Sequence, residues 1–366
     1  MWVNKVSISG FRNIHVQDIN LSKKVNILYG NNAQGKTSFL EALYFCAFGR
    51  SLRAVHDIEL INFDKNETHV KLDVNRNRQV FTIDAYIQKI GAKSKSKKAL
   101  AINQITLPHI KDLFGQLLVV MFSPEDLRLI KAGPFERRRF IDMEICQLSP
   151  VYYRDLKEYH RALKQRNVLL KVLLKKYGKN LAAFDPVELS IWDTQLAKYG
   201  TRIITARQEF IQKINQYANS IHSQITSGKE DLQLIYQPNI TTDYEGVLEK
   251  NHKRDIIQGT TTVGIHKDDI DFTINNISAR FFGSQGQQRT AALSAKLAEI
   301  EIIKEITNET PVLLLDDVLS ELDGSRQEYL LNQIGELQTL ITCTGLEDVL
   351  HVTDANILRV DAGTIV

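Results

Sequence analysis

Gly30-Asn31-Asn32-Ala33-Gln34-Gly35-Lys36-Thr37 is the stretch on which the reading of this chain turns. The eight residues match G-x-x-x-x-G-K-[ST] in full, and the flanks supply the context that gives this pattern its meaning. Val25 to Tyr29 is a short apolar run that reads as a buried strand, and Thr37 to Phe48 is apolar on most faces, which suits a buried helix. Strand, glycine-rich turn and helix N-terminus together make a phosphate cradle. Glycines let backbone N–H groups close around phosphate oxygens, and the helix end adds positive potential. Gly30, Asn31, Asn32, Ala33, Gln34 and Gly35 are the expected loop contacts to ATP, Lys36 would bridge its β- and γ-phosphates, and Thr37 would ligate Mg²⁺. The bland alternative is a glycine turn that happens to precede a helix, and it leaves the agreement of motif and flanks unexplained.

A second element lies far downstream. Val312-Leu313-Leu314-Leu315-Asp316-Asp317 is an apolar strand ending in two acids. Asp316 would hold the Mg²⁺ through water, and Asp317 stands where a base could orient the attacking water. Lys36, Asp316 and Asp317 are therefore the candidate catalytic residues.

The subtype comes from Phe282-Gly283-Ser284-Gln285-Gly286-Gln287, which precedes a helix expected from Gly286 to about Thr307. Ser284 is a good N-cap, and Gly286 allows backbone to approach an anion. The stretch resembles the signature motif of ABC-type ATPases, in which this helix start caps the γ-phosphate held by another subunit. Ser320-Glu321-Leu322-Asp323 follows the acidic pair and resembles their D-loop, with Ser320 and Asp323 as its site residues. One chain carries one phosphate loop and one signature. The resemblance therefore implies that Ser284, Gly286 and Gln287 act in trans, in a homodimer formed on ATP binding.

Around these motifs the chain alternates in character. Residues 1 to about 120 read as strands with few helices: Val6 and Ile8 alternate with Lys5 and Ser7, and 68–74 and 79–87 read as a strand pair on their Val, Ile, Phe and Tyr content. Ala92 to Lys98 is expected as an exposed basic loop. From Tyr152 a heptad-like series runs through Leu156, Tyr159, Leu163, Leu170, Leu173 and Tyr177, with Arg166 the one misfit. Gly178-Lys179-Asn180 breaks it. Asp185-Pro186-Val187-Glu188 then offers an N-cap, a first-turn proline and a capping-box glutamate. A second series follows through Trp192, Leu196, Tyr199, Ile203, Phe210, Tyr217 and Ile221, so the two helices should fold back as an antiparallel hairpin. Strands return after residue 231, with Val263, Ile265, Ile270, Phe272 and Ile274 in short runs. The expected fold is α/β: an ABC-type P-loop ATPase head with mixed sheets, discontinuous in sequence (1–120 and 231–366), with a mostly helical lobe (121–230) inserted.

Composition narrows the function classes. The chain has 366 residues, 43% hydrophobic and 24% charged, so a folded globular protein is expected rather than disorder. Cys46, Cys146 and Cys343 are far apart and without a C-x-x-C pair, which argues against disulfide or zinc frameworks and for a reducing cytoplasm. No run approaches the ~20 apolar residues that span a bilayer. The net charge of +3 is a weak pointer to an anionic partner, so local patches must decide. Candidates for the DNA backbone are Arg137-Arg138-Arg139, the lysines Lys93, Lys95, Lys97 and Lys98, and the basic residues of the first hairpin helix from Arg154 to Lys176. Each taken singly is more often a solvated face. His266 with Asp268 and Asp269 has no second histidine at ligand spacing, which favours a structural or nucleotide-sensing role over a metal site.

Several stretches, in order over nearly the whole chain, are similar to the RecF family of bacterial recombination-repair ATPases, relatives of SMC heads. They are Gly10-Phe11-Arg12-Asn13, the Gly30-to-Thr37 loop, Gly49-Arg50-Ser51-Leu52-Arg53, Ser123-Pro124-Glu125-Asp126-Leu127, Gly133-Pro134-Phe135-Glu136-Arg137-Arg138-Arg139-Phe140, Gly264-Ile265-His266-Lys267-Asp268-Asp269, Ser284-Gln285-Gly286-Gln287 and Leu315-Asp316-Asp317. The resemblance implies ATP-driven dimerisation on DNA at duplex and single-strand/duplex junctions, slow hydrolysis that resets the clamp, recombinase loading at gaps, SOS induction, and RecR and RecO as partners. It also implies ATP contacts from Arg12 and Asn13. There are departures: no counterpart of the ABC Q-loop glutamine stands near Val119 to Phe122, with Gln116 upstream, and Thr339 to Thr344 holds no switch histidine. Asp317 replaces the glutamate of many ABC ATPases, which is the basis for expecting slow turnover. The competing classes are a P-loop kinase, against which the signature and D-loop speak, an SMC-type tether or transporter subunit, for which the hairpin is short at ~1.5 Å per residue, and a non-catalytic ATP-sensing clamp, which the sequence does not separate from a slow ATPase.

Overall fold

The computed structural model describes residues 1–76, 79–91, 95–178, 180–335, 337–346 and 354–366. Its strands in chain order are β1 (Trp2–Phe11), β2 (Ile14–Asn20), β3 (Val25–Tyr29), β4 (Glu67–Arg76), β5 (Gln79–Ile90), β6 (Lys95–Ile102), β7 (Ile105–Thr106), β8 (Val119–Phe122), β9 (Leu232–Gln237), β10 (Asp269–Ile274), β11 (Ile277–Ser278), β12 (Val312–Asp316), β13 (Thr339–Cys343), β14 (Asn356–Asp361) and β15 (Thr364–Ile365). The helices are α1 (Lys36–Phe48), α2 (Arg128–Lys131), α3 (Pro134–Leu148), α4 (Pro150–Tyr177), α5 (Val187–Ile225), α6 (Tyr244–Lys250), α7 (His252–Gln258), α8 (Ala279–Phe282), α9 (Gln285–Thr307) and α10 (Gly324–Gln333). Two compact units divide the chain: Met1–Leu127 with Leu293–Val366, and Arg128–Ala292. The sequence reading sets its second boundary at 230, whereas the structure sets it at 292. The reason is that β9 packs on α5 and pairs with β10, so residues 231–292 complete the helical unit instead of returning to the ATPase lobe.

The first unit holds two sheets. One is antiparallel through β1, β2, β4, β5 and β6, in the order β2-β1-β4-β5-β6-β7. The other runs β15-β14-β3-β13-β12-β8 and is parallel from β14 to β8. Parallel strands covered on both faces are apolar throughout, and β12 and β13 are buried at every position. Each fully buried leucine of Leu313-Leu314-Leu315 contributes roughly 2 kcal/mol by its loss of water contact. Helix α1 packs against strands of both sheets, which is why Phe39 to Phe48 is buried on all sides and lacks a polar face. Because β3 and β12 are parallel, their C-terminal ends lie at one edge of the sheet, with β13 between them. That edge is where an open α/β sheet places its ligand. Lys95 begins β6 and is not part of a loop; Lys93, in the same expected basic loop, lies outside the described residues.

The second unit is built on the α4–α5 hairpin. Its antiparallel sense is shown by three cross-links: Tyr152 hydroxyl with Arg207 (3.1 Å), Arg166 with Asp193 (2.7 Å) and Tyr177 with Glu188 (2.7 Å). Ser149 caps α4 by accepting from the Tyr152 N–H, and Gly178 ends it at a φ of 59°. Glu188 does not close the expected capping box; its carboxylate takes the Tyr177 hydroxyl and the Lys176 ammonium and so fastens α5 to α4. Leu170, Leu173 and Leu189 of the hairpin form one apolar cluster with Ile256 of α7. Arg166, the misfit of the heptad series, is fully buried and donates to Asp193, Asp255 (2.6 Å) and Thr261 (2.9 Å). Of the short runs after residue 231, Ile265-His266-Lys267 is a single 3-10 turn, and the strand starts at Asp269. No helix among the described residues is long and apolar enough to cross a membrane.

Candidate functional site

A cavity of about 810 Å³ opens in the first unit at the C-terminal ends of β3 and β12. Asn32 to Ser38 line one wall, with Asp316, Asp317 and Thr342 nearby. Backbone conformation explains the glycines. Gly30 has a φ of 155°, and a Cβ there would come within 2.2 Å of the Val360 carbonyl oxygen. Gly35 caps α1 at a φ of 118° and offers no side-chain acceptor, so the first N–H groups of the helix are left for another partner. Asn13 pins the loop from the side: its amide donates to the Ala33 carbonyl (3.2 Å) and accepts from the Ser38 hydroxyl (2.8 Å). Gln34 is held by the backbone N–H groups of Ala362 (2.5 Å) and Gly363 (2.9 Å).

Lys36 is buried, and its ammonium is folded onto the Gly30 (2.5 Å) and Asn31 (2.9 Å) carbonyls of its own loop. Thr37 donates to Asp316 at 2.7 Å, which joins the two motifs read from the sequence across 279 residues. Thr342 donates to the same carboxylate oxygen at 3.0 Å and accepts from the Asp317 N–H at 2.9 Å. Arg53 takes the other Asp316 oxygen at 2.7 Å. Asp316 is almost fully buried, so a cation beside it is required. Asp317 is half-buried at a φ of 54°, a left-handed conformation that aspartate tolerates better than most residues. Its carbonyl accepts from Ser320, and Asp323 caps α10 through the Arg326 N–H. A hydroxyl and a carboxylate side by side are the hard oxygen donors that Mg²⁺ takes, and the open start of α1 suits phosphate, so the residues present fit a magnesium nucleotide.

Sequence reasoning missed Arg53 and Thr342. Thr342 was legible only through register, since it sits directly opposite Asp316 on β13. Arg12 lines the cavity, but its guanidinium is clamped bidentate on the buried Glu41 (2.9 and 3.0 Å). Gln116 is not among the lining residues.

In the second unit, Ser284 and Gln287 exchange hydrogen bonds at the start of α9: the Gln287 N–H donates to the serine hydroxyl (3.2 Å) and the Ser284 N–H to the glutamine carbonyl oxygen (2.9 Å). This is a reciprocal capping box. The Gln287 amide also donates to Glu230 at 2.9 Å, which fixes its side chain.

The basic candidates sort by burial. Arg137 is 3% exposed, paired with Asp269 at 2.7 and 3.0 Å and donating to the Leu129 and Ala132 carbonyls, so it supports α3 and does not face DNA. Arg138 donates to the Asp268 carbonyl at 2.6 Å. Lys98 is held by Asp57 (2.9 Å) and the Gly49 carbonyl (2.6 Å). Lys95 and Lys97 are exposed, Arg139 is half-buried, and Arg154, Lys157, Arg161, Lys164, Lys171 and Lys175 form an exposed stripe on α4. His266 and Asp268 are fully engaged, the first with Tyr159 and the Thr261 carbonyl, the second with Arg207 and Tyr236. Burial pushes the His266 imidazole down to about 4. No cluster of metal-ligating side chains exists among the described residues.

The model of the RecF/RecN/SMC N-terminal domain matches residues 2–361. DNA replication and repair protein RecF of Lachnospira eligens is 46% identical over 96% of this chain and 94% of its own length, and that of Clostridium acetobutylicum 46% identical over 100% and 99%. The chain belongs to the RecF family. Among solved structures, the recombination mediator protein RecF-ATPrS in the RecFOR pathway superposes with a TM-score of 0.89 at 33% identity, covering 100% of this chain and 97% of that one. RecF-ATP of the same pathway gives 0.87 at 33% identity. The Smc head domain of Pyrococcus furiosus, at 14% identity and a TM-score of 0.56, shares the fold. RecF-family membership thus comes with the ATPase-head architecture expected from the sequence.

Proposed function

We propose that this RecF-family chain binds Mg²⁺ and ATP at the Gly30–Thr37 loop, pairs with a second copy on doing so, and grips DNA near single-strand gaps in recombinational repair and replication restart. The observation that carries the reading is the 2.7 Å hydrogen bond from Thr37 to the buried Asp316, which assembles a phosphate loop and an acidic strand end into one site. Relatives solved as RecF-ATP and RecF-ATPrS support ATP as the ligand.

Each residue then has a task. Lys36 leaves the Gly30 and Asn31 carbonyls for the phosphates, at little cost because it exchanges one set of oxygen acceptors for another. Bound Mg²⁺ would neutralise phosphate charge and would be held by Thr37 and Asp316. Arg53 must then give up Asp316, and the cavity leaves its guanidinium free to meet phosphate oxygens instead. Asp317 holds the attacking water; its shorter side chain than glutamate is the reason hydrolysis is slow and resets the clamp. Ser284 and Gly286 cap the γ-phosphate of the other copy. Ser320 and Asp323 shape the backbone beside Asp317. Arg12 orders the cavity wall through Glu41 and leaves direct phosphate contact to the loop. The membership of relatives in the RecFOR pathway supports RecR and RecO as partners, with recombinase loading and SOS induction as the outcome.

Sedimentation velocity tests the pairing step. With ATP and Mg²⁺ the sedimenting mass is expected to double, and with ADP or with Lys36→Met it should not. An unchanged mass with ATP, at a concentration that saturates the site, would overturn dimerisation.

A further inference from the structure

Glu230 lies two residues before β9, at the end of the turn that leads out of α5. Its carboxylate is held at both oxygens. One accepts from the Gln287 amide at 2.9 Å, and the other shares a 3.0 Å hydrogen bond with the His222 imidazole. An ionised carboxylate only accepts, so Nε2 of His222 carries the proton of that bond. The His222 side chain is fully buried on α5, whereas that of Glu230 is 20% exposed. One acid therefore links the buried side of α5 to the start of α9.

The backbone on either side of Glu230 is anchored. Before it, the Gly228 N–H donates to the Ser223 carbonyl (2.8 Å) and the Lys229 N–H to that of Thr226 (3.2 Å), with Ser227 and Gly228 both left-handed at φ of 53° and 73°. After it, the Asp231 N–H donates to the Asn275 side chain (2.8 Å), and the Asn275 N–H returns to the Asp231 carbonyl (2.9 Å). Asn219 of α5 donates to the Asp231 carboxylate at 2.6 Å. Glu230 thus stands between two fixed neighbours, and its carboxylate has a set direction. The consequence falls on Ser284. The Gln287 side-chain oxygen takes the Ser284 N–H, and the serine hydroxyl oxygen takes the Gln287 N–H. With its oxygen accepting, the exposed Ser284 hydroxyl has its proton left to give, and no neighbour among the described residues takes it. A free glutamine side chain loses rotamer freedom when it closes such a box, and the tether to Glu230 removes that freedom beforehand.

We propose that Glu230, backed by His222, is a positioning residue for the contact between copies. By tethering Gln287 it keeps the Ser284 hydroxyl set for the γ-phosphate held by a second chain. This role rests on the pairing proposed above, and it adds to that reading an acid that lies 54 residues upstream of Ser284 in the sequence. An acid beside an anion-capping helix start would otherwise repel phosphate. Here both of its oxygens are turned to donors of its own unit, which lowers that repulsion.

The test measures two quantities on the full chain with Mg²⁺: ATP affinity at protein concentrations too low for pairing, and ATP-dependent pairing by sedimentation equilibrium. Glu230→Ala is expected to leave ATP affinity within about two-fold and to weaken pairing by about ten-fold or more. Glu230→Gln, which keeps an oxygen for the Gln287 amide, should recover most of the pairing. Mixing supplies a readout that general damage to the fold would not move. Glu230→Ala chains combined with Lys36→Met chains should form more of the ATP-dependent pair than either variant alone, because the Lys36→Met chain offers an intact Ser284 to the ATP on its partner. Pairing at wild-type strength in Glu230→Ala, an equal loss of ATP affinity, or no gain on mixing would overturn the role of Glu230 and leave pairing itself standing. A wild type whose mass does not rise with ATP overturns both.

Discussion

Asp316 receives Thr37 and Thr342 on one oxygen and Arg53 on the other, all within 3.0 Å, in a setting almost free of water. Asp317, one residue on, is half-buried at the cavity. On the proposed function the two acids would divide the labour, Asp316 holding a cation and Asp317 facing a reacting water. Asp317→Asn is expected to lower single-turnover hydrolysis by about 10²-fold or more while ATP-dependent pairing persists. Hydrolysis at the wild-type rate would remove Asp317 from the chemistry. The glycine, lysine and acidic residues of this site were legible because each motif is a contiguous run. Arg53 and Thr342 were not, since Arg53 reaches Asp316 by folding back over 263 residues and Thr342 meets it only through the register of neighbouring parallel strands. Arg137 shows the reverse: three adjacent arginines read as one basic patch, but helix geometry turns the first inward onto Asp269. Charge in a sequence carries no direction until the helix face is known.

At the scale of elements, the hairpin was legible from its period and breaks, and the lone irregularity in that period marked a buried charge. Arg166 faces Asp193 and Asp255 in a region with 0–1% exposure, so its removal leaves the buried Asp255 without its cation and Asp193 with the His252 imidazole alone (2.6 Å). Arg166→Leu is expected to destabilise the second unit by about 3–5 kcal/mol in urea unfolding. A loss within experimental error would mean the pair is dispensable. The opposite face of α4 carries the exposed stripe that includes Lys157 and Lys164. If this stripe meets phosphates, Lys157→Gln with Lys164→Gln should lower the slope of log affinity for DNA against log salt by roughly 0.9 for each phosphate no longer neutralised. An unchanged slope would shift the DNA-binding role to Lys95 and Lys97. The boundary at 292 escaped the sequence reading because β9 and β10 have the same alternation whichever unit they join; packing on α5 decides it.

At the scale of the whole molecule, His266 makes one contribution to stability that acid removes. Burial first, and then Lys267, His160 and Arg138, hold its folded value at about 4, against about 6.5 in the unfolded chain. The unfolded state therefore binds the proton more readily, and the stability present above pH ~6.5 is lost as pH falls toward ~4. His266→Gln should flatten the change in urea midpoint between about pH 7 and about pH 5, and an equally steep change would assign the acid sensitivity elsewhere.

On the function proposed here two chains act together, since each carries one phosphate loop and one signature-like helix start. The most direct measurement is binding to gapped duplex DNA by fluorescence anisotropy at one fixed salt concentration, with ATP, with ADP and with no nucleotide. Tight binding with ATP alone, lost in Lys36→Met, is the expected result. Equal and weak binding in all three states would contradict a nucleotide-gated grip on DNA.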